Sequence, residues 1–516
     1  MPTLSTVKPR APHSKPTRSP QLHRAAETFL FPALMRPTRL LLVAAALAPL
    51  GTTFAQNIRA TGKVNEFYAA NCSNCHGKKL EGGLTPAQNK VPSLLDDEWL
   101  HGGDDESIAK SIRTGYPEKE MPPWSATMTD KEIRAMVVYI REQQFAFRRG
   151  DTKIDKRPDD LVAKGKLHNF EVHPWVSNLV EPWGLTFLPG NKAVVTEKKG
   201  YLYLIDNGKL AARPMIGVPM ADTGGQAGFY DVVPHPDYAK NGWLYLAYSD
   251  LQKRTGQPVS LTRIVRGKIK EKENTFADVE TVYQAPLELY PKAGGVHFGG
   301  RIVFDGKGYL FFSIGERGNG ANSQDLSVPM GKVHRIHDDG RVPADNPFRK
   351  DPKALPTIWS SGHRNPQGLA MNSANGELYN LEHGPRGGDE VNLVLPGKNY
   401  GWPVISWGMD YPGTPIGEGL TAKEGMEQPV KYWLPSIAPC GANFYSGDKF
   451  PKWKNNLFVS SLVGEQLVRL EIQGNKLVAE EMLFQNLGRI RHVIGGPDGA
   501  LYVLLPTKIS RITPAE

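Results

Sequence analysis

Gly184-Leu185-Thr186-Phe187-Leu188-Pro189, followed by Ala193-Val194-Val195-Thr196 and Tyr201-Leu202-Tyr203-Leu204-Ile205, is the stretch from which the fold can be read. Each segment is short, apolar and rich in β-branched or aromatic residues, and turn-forming residues fill the gaps. That pattern predicts neighbouring antiparallel strands joined by tight turns. The unit recurs. Tyr230–Pro236 precedes Trp243–Tyr248, and Arg301–Asp305 precedes Tyr309–Ser313. Gly368–Asn372 precedes Glu377–Asn380, Phe444–Gly447 precedes Asn456–Ser460, and Val493–Gly499 precedes Leu501–Leu504. Six irregular units with long insertions predict an all-β six-bladed propeller over residues 166–516. No run keeps the helical period that a parallel α/β fold needs, and a two-sheet sandwich does not need so many repeats. In a propeller the loops at one end converge on the axis, so motifs distant in sequence can form one site.

Upstream the period changes. Val64, Phe67 and Tyr68 have helical spacing. Thr129-Asp130-Lys131-Glu132 is a capping box, and Ile133, Met136, Val137 and Ile140 follow at i, i+3, i+4 and i+7. Between these helices stands Cys72-Ser73-Asn74-Cys75-His76, the spacing of covalent haem c attachment. Two thiols add across the vinyl groups of one porphyrin, and the adjacent histidine reaches the iron. The other readings are half of a zinc site or a redox dithiol. A zinc site needs two more ligands, and Cys440 is the one remaining cysteine. Met121, held stiffly by Pro122 and Pro123, suits the sixth iron position as a thioether. Met128 and His101 are the alternatives. Motif order and size resemble class I cytochrome c domains, which assigns residues 56–146 to a small all-α domain.

The flanks set the compartment. Up to Ala55 there are seven Lys/Arg and one Glu, so about six of the nine net positive charges lie there. The remainder is close to neutral and gives no argument for nucleic acid. Arg36 and Arg39, the apolar run Leu40–Leu50 and Thr53-Phe54-Ala55 form a secretory signal pattern with cleavage after Ala55. Residues 1–55 are therefore read as extension and signal, and the chain as periplasmic, where haem c attachment also takes place. The apolar run is short for a membrane span, and an uncleaved anchor is the alternative. From Phe145 the sequence is charged and aperiodic, and 147–165 is read as a linker. With 516 residues, 40% hydrophobic and 22% charged, the composition is globular.

Four motifs interrupt the strand pattern. They are Gly224–Gly228, His297–Arg301, Gly362–Leu369 and Glu382–Glu390, with Arg489-Ile490-Arg491 near the end. Singly each has an ordinary explanation: a Gly-Pro turn, a satisfied histidine, a solvated arginine pair. Together, with Asn399–Pro403, they resemble the soluble pyrroloquinoline quinone (PQQ)-dependent sugar dehydrogenases, in the aldose sugar dehydrogenase branch. The resemblance covers Lys166 to the C-terminus, and its most specific runs are His363–Gly368 and His383–Glu390.

The resemblance implies roles that chemistry can weigh. PQQ carries three carboxylates and an ortho-quinone, and arginine pairs with carboxylates bidentately and stacks on flat rings. Arg489 and Arg491 would share one strand face. Arg364 matches the arginine polarising the quinone oxygen, and Asn365 and Gln226 match polar contacts to the cofactor. His297 matches the general base and Glu316 the acid that orients it. Gly384 and Pro385 match positions whose carbonyls hold Ca2+, a cation that wants hard oxygens. One position departs. Some relatives carry a lysine after a Ser-Leu pair, and here Ser461-Leu462 is followed by Val463. Either PQQ is held less tightly, or Lys332 or another base compensates. The reading is a dehydrogenase that oxidises aldose sugars by hydride transfer to PQQ and passes electrons to its own haem c, then to a downstream redox acceptor. The rivals are a calcium-dependent, lactonase-like propeller hydrolase and a non-catalytic propeller module beside an electron-carrying cytochrome.

Overall fold

Strands buried on both faces explain why so many segments read as unbroken apolar runs. The computed structural model describes residues 63–149 and 161–515. Within the larger part, six sheets follow one another along the chain. The first runs Pro182–Leu188, Lys192–Glu197, Tyr201–Asp206, Lys209–Leu210, each strand antiparallel to the next. The inner strands of successive sheets, beginning at Pro182, Phe229, Ile302, Pro366, Pro439 and His492, stand around a common axis. Each sheet is packed between two others, so alternation is suppressed: Ala193, Val194 and Val195 are all buried, as are all five residues of Leu501–Leu505. This is the six-bladed propeller, and the strand pairs read from the sequence fall on the inner pairs of its six sheets, except that the inner strand of the fifth is Pro439–Phe444 and ends where the sequence reading began.

Closure of the ring uses both ends of the domain. The sixth sheet takes His492–Gly495, Leu501–Leu505 and Lys508–Pro514 from the C-terminus and Asn169–Ser177 and Leu161–Lys164 from the start. Lys508–Pro514 pairs with Asn169–Ser177 over seven registered positions, from Lys508 opposite Ser177 to Pro514 opposite Phe170. Unfolding the sixth sheet thus requires separating segments more than 300 residues apart in sequence.

The smaller part is helical. α1, Val64–Asn71, buries Val64, Phe67 and Tyr68. A single helical turn, Ser73–His76, carries the thiols and the histidine. α2, Asp105–Thr114, was not evident from periodicity because it buries only Ile108, Ala109 and Ile112; Asp104 caps it through the Ser107 N–H at 2.9 Å. α3, Asp130–Arg149, starts at the expected capping box. The Thr129 N–H donates to Glu132 Oε2 at 2.8 Å and the Glu132 N–H to Thr129 Oγ1 at 3.4 Å. Ile133, Met136, Val137 and Ile140 are buried as the period requires.

α3 also corrects the linker. It continues through Phe145 to Arg149, and Leu161–Lys164 is an edge strand of the sixth sheet. Only 150–160 lies between them, outside the described residues. The far face of α3 meets the propeller at Glu142, which accepts from Arg386, and at Phe145, and Arg148 beyond pairs with Asp97. Both parts belong to one compact unit. Met409 of the propeller is fully buried in the same apolar cluster as Val137 and Val138. Tyr432 Oη donates to Asp105 at 3.1 Å, and Arg134 Nη2 donates to the Trp407 carbonyl at 3.2 Å. The signal pattern up to Ala55 falls outside the described residues. Among the described residues no helix is long and apolar enough to cross a membrane.

Candidate active site

In an antiparallel blade the start of the first strand and the end of the second lie at the same edge. That geometry gathers the singled-out residues. Gln226, His297, Arg364, Asn365, Arg489 and Arg491 precede first strands, whereas Glu316, Gly384 and Pro385 follow second strands. A cavity of about 810 Å³ opens at this edge. Gln226, Gly384, Pro385, Arg489 and Arg491 line it. His297, Glu316, Arg364 and Asn365 are joined to that lining by hydrogen bonds.

The network is continuous. The His297 backbone N–H donates to Gln226 Oε1 at 2.9 Å. His297 Nδ1 lies 2.7 Å from Glu316 Oε1, a carboxylate that is almost fully buried. A carboxylate can only accept, so Nδ1 carries the proton and Nε2 keeps a lone pair. Burial pulls the His297 pKa below its ordinary value; Glu316 opposes this, and the Arg364 charge adds to it. A neutral imidazole with its free lone pair fixed in direction is what a general base requires. His297 holds a positive φ of 57°, an uncommon state for a side-chain-bearing residue that persists only where the surroundings impose it. Gly315 is part of that imposition: a Cβ there would come within 2.4 Å of the His297 carbonyl.

Arg364 is buried and its Nη1 donates to the carbonyls of His383 and Gly384, each at 3.0 Å. Its backbone N–H donates to Glu382 Oε2 at 2.7 Å, and its carbonyl accepts from the Glu316 N–H at 2.9 Å. The Gly384–Pro385 turn is rigid. The Gly384 N–H donates to Asp389 Oδ1 at 2.8 Å, and Asp389 Oδ2 accepts from Ser436 Oγ and the Ile437 and Ala438 N–H groups, each at 2.7 Å. A Cβ on Gly384 would meet the Gly387 carbonyl at 2.2 Å, so only glycine fits.

An anionic group with polar edges fits the residues present. Arg491 Nη1 donates to the neutral Gln367 at 2.8 Å, and burial together with the neighbouring Arg491 lowers the Arg489 pKa. Two guanidinium groups side by side in a partly buried cavity call for a negative partner. Buried polar atoms in and beside the cavity lack partners: Tyr230 Oη, Arg364 Nε, Asn365 Nδ2 and His383 Nε2. His383, whose pKa burial brings down to about 3, lines the cavity as a neutral donor or acceptor. For Ca2+ the protein offers hard carbonyl oxygens at Gly384 and Pro385. Among the described residues no group of three or more His, Cys, Asp or Glu side chains is gathered to hold a metal. Of the two carbonyls, that of Gly384 already accepts from Arg364 Nη1 at 3.0 Å.

Lys332 does not fill the gap left at Val463. Its Nζ donates to the Asn322 and Met330 carbonyls at 2.7 Å each, away from the cavity lining, and burial brings its pKa down to about 7. The lysine that lines the cavity, together with Val463, is Lys198. It sits in Glu197-Lys198-Lys199-Gly200, which reads as an ordinary solvated turn. His383 and Trp183 were also missed as lining residues, although His383 lies inside a singled-out motif.

In the helical domain, Cys72 and Cys75 are free thiols one helical turn apart, and His76 Nδ1 is buried without a partner. Met128 is packed in the core and His101 is exposed and stacked on Tyr116 at 3.8 Å, whereas Met121 is only half-buried. The Met121 backbone is pinned by two hydrogen bonds with Tyr116, at 2.8 and 3.1 Å. The two thiols and the unpartnered His76 nitrogen fit covalently attached haem.

Residues 179–513 match the Glucose / Sorbosone dehydrogenase family. Residues 59–140 match Cytochrome C oxidase, cbb3-type, subunit III. Aldose sugar dehydrogenase YliI of Escherichia coli (strain K12) is 42% identical over 331 residues, 63% of this chain and 87% of that protein. The crystal structure of the soluble aldose sugar dehydrogenase from Escherichia coli in the apo-form aligns with a TM-score of 0.63 at 40% identity, covering 67% of this chain and 100% of that one. The PQQ-bound form of aldose sugar dehydrogenase from Streptomyces coelicolor aligns with a TM-score of 0.55 at 26% identity, over 68% of this chain and 99% of that one. Fold, site and these matches agree: the chain belongs to the glucose/sorbosone dehydrogenase family, oxidoreductases acting on CH–OH groups, and carries a cytochrome c domain ahead of its propeller.

Proposed function

We propose that this protein is a periplasmic PQQ- and calcium-dependent dehydrogenase of aldose sugars whose own haem c is the first electron acceptor. The observation that carries the reading is the connection of the cavity-lining Arg489 and Arg491 guanidinium groups, through the wall residue Gln226, to the buried His297–Glu316 couple behind it. The first suits an anionic cofactor and the second suits removal of a hydroxyl proton. When bound, PQQ supplies the ortho-quinone that accepts hydride. The chain's residues do the rest. Arg489, Arg491 and Lys198 offer three cations to three carboxylates. Gln226 and Asn365 would orient the polar edges, Arg364 would polarise the quinone oxygen, and the carbonyls of Gly384 and Pro385 would hold Ca2+. His297 Nε2 takes the proton of the sugar hydroxyl, and the buried Glu316 carboxylate steadies the imidazolium that results. Cys72, Cys75, His76 and Met121 would hold the haem, with a Met thioether raising its potential toward electron acceptance. A lactonase-like hydrolase would instead need carboxylate or Asn ligands converging on calcium. A panel of aldoses assayed with an artificial dye, with and without added PQQ and Ca2+, tests the proposal. Dye reduction that requires sugar, PQQ and Ca2+ together is expected; sugar oxidation without PQQ, or none with both present, contradicts it.

A further inference from the structure

The cavity wall is not made by the propeller alone. Glu142, Phe145 and Ala146 of α3 stand in it beside propeller residues that include Tyr411, Pro435 and Val463. They continue a stripe. Val138, Glu142 and Phe145 are spaced i, i+4, i+7 and so lie on one helix face, turned from the face that buries Ile133 and Met136 in the helical core. The stripe faces the turn that follows Gly384. Val138 Cγ1 approaches the Cβ position of Gly387 to 3.6 Å, and Arg386 Nε donates to Glu142 Oε1 at 3.0 Å while its Nη2 donates to Glu142 Oε2. Both partners of this bidentate pair are largely buried. The Val64 N–H donates to the Gly413 carbonyl at 3.3 Å and pins the other end of the domain near Tyr411. α3 is therefore held at the mouth of the cavity by packing, a bidentate ion pair and backbone contacts, with Phe145 half-buried in the opening.

Volume decides what this does. At about 810 Å³ the cavity is in the upper part of the usual range for a small-molecule site. A flat tricyclic cofactor against Arg489 and Arg491 takes a share, and the remaining space is bounded on one side by Phe145 and Ala146. A substrate that extends toward α3 meets Phe145 and Ala146. An aromatic face is also a natural surface for the C–H side of a pyranose.

We propose that the last turns of the cytochrome helix are the outer wall of the sugar pocket and limit the substrate to a single sugar ring, with Phe145 the residue that sets the length. The cytochrome domain is then a specificity element as well as an electron acceptor. This rests on the sugar dehydrogenase reading above. The test uses the full-length holoenzyme with a dye acceptor and glucose, maltose and maltotriose. In the native chain kcat/KM should fall with each added ring, mainly through KM. Phe145→Ala should raise kcat/KM for maltotriose relative to glucose by about tenfold, the scale of one removed apolar obstruction. Ala146→Trp, at an exposed position, should steepen the preference for glucose. A length profile that neither variant changes overturns the proposal, as does a uniform loss on all three sugars. A second readout does not need turnover: the rate at which PQQ enters the cofactor-free protein through the same mouth. Phe145→Ala should speed entry and Ala146→Trp slow it; equal rates in all three proteins overturn the wall. If no aldose is oxidised yet the entry rates shift as stated, the sugar reading fails and the wall stands.

Discussion

Glu316→Gln isolates the charge behind the proposed base. Glu316 is 2% exposed, accepts from His297 Nδ1 at 2.7 Å and also accepts the Gly318 N–H. Glutamine keeps the shape and can still accept from Gly318 through its oxygen. Its amide nitrogen then faces Nδ1, which favours the tautomer with the proton on Nε2, where no sugar proton can be taken. The charge-assisted bond to the imidazolium is worth about 1.5–3 kcal/mol. If that stabilisation is felt only when His297 is charged, turnover should fall about tenfold to a hundredfold. The pH dependence has a definite sign. His297 must be neutral to act, and its pKa is already below the ordinary 6.5 through burial, with Glu316 the group that raises it. Removing that charge lowers the pKa further, so the acidic limb should move to lower pH while the plateau drops. The assay is dye-coupled turnover at saturating aldose across pH 4 to 9, with PQQ binding as control. Glu316 does not line the cavity, so binding should hold. A plateau within about twofold of the native one and an unmoved limb would refute the role given to the His297–Glu316 couple.

Other outcomes follow from the same geometry. His297→Ala should lower turnover by about a hundredfold or more with PQQ affinity nearly unchanged, which titration against activity will show. Lys198→Ala should weaken PQQ binding measured by titration, and adding Val463→Lys to that variant should restore it, because both positions line one cavity; no loss in the first variant removes Lys198 from cofactor binding. Haem should stay with the protein through acid–acetone extraction, and Cys72→Ala with Cys75→Ala should abolish attachment; extraction of haem into the organic phase contradicts the covalent assignment.

The propeller was legible because sheets stacked face to face bury both sides of a strand, and Leu501–Leu505 or Ala193–Val195 therefore stand out as apolar runs between turns. The ring closure was not legible, since Asn169–Ser177 finds its partner only at Lys508–Pro514. α3 was visible where its apolar face repeats, from Ile133 to Ile140, and lost where that face ends: from Phe145 on the helix is mostly exposed and charged, and read as linker. The site divides in the same way. Arg489 and Arg491 alternate about Ile490 and could be weighed as an anion-binding pair, although they lie in the loop before His492–Gly495 and not on a strand. The His297–Glu316 couple depends on two loops meeting over 19 residues, and its reading came from resemblance. Lys198 was hidden because a lysine in a Lys-Lys-Gly turn looks solvated, and only the curvature of the propeller turns it toward the cavity. Val463 stands where a lysine was expected, and Lys198, unlike Lys332, lines the cavity beside it.

Electron delivery within one polypeptide is the central claim, and haem reduction measures it most directly. The described parts pack against each other through Glu142–Arg386, Asp105–Tyr432 and Met409, which keeps the haem domain beside the cavity at high effective concentration. The protein, reconstituted with PQQ and Ca2+, is mixed anaerobically with a substrate aldose, and reduced-haem absorbance is followed at several protein concentrations. An intramolecular step predicts a rate constant independent of protein concentration. A rate that rises in proportion to concentration, or dye reduction without any haem reduction, would contradict the account.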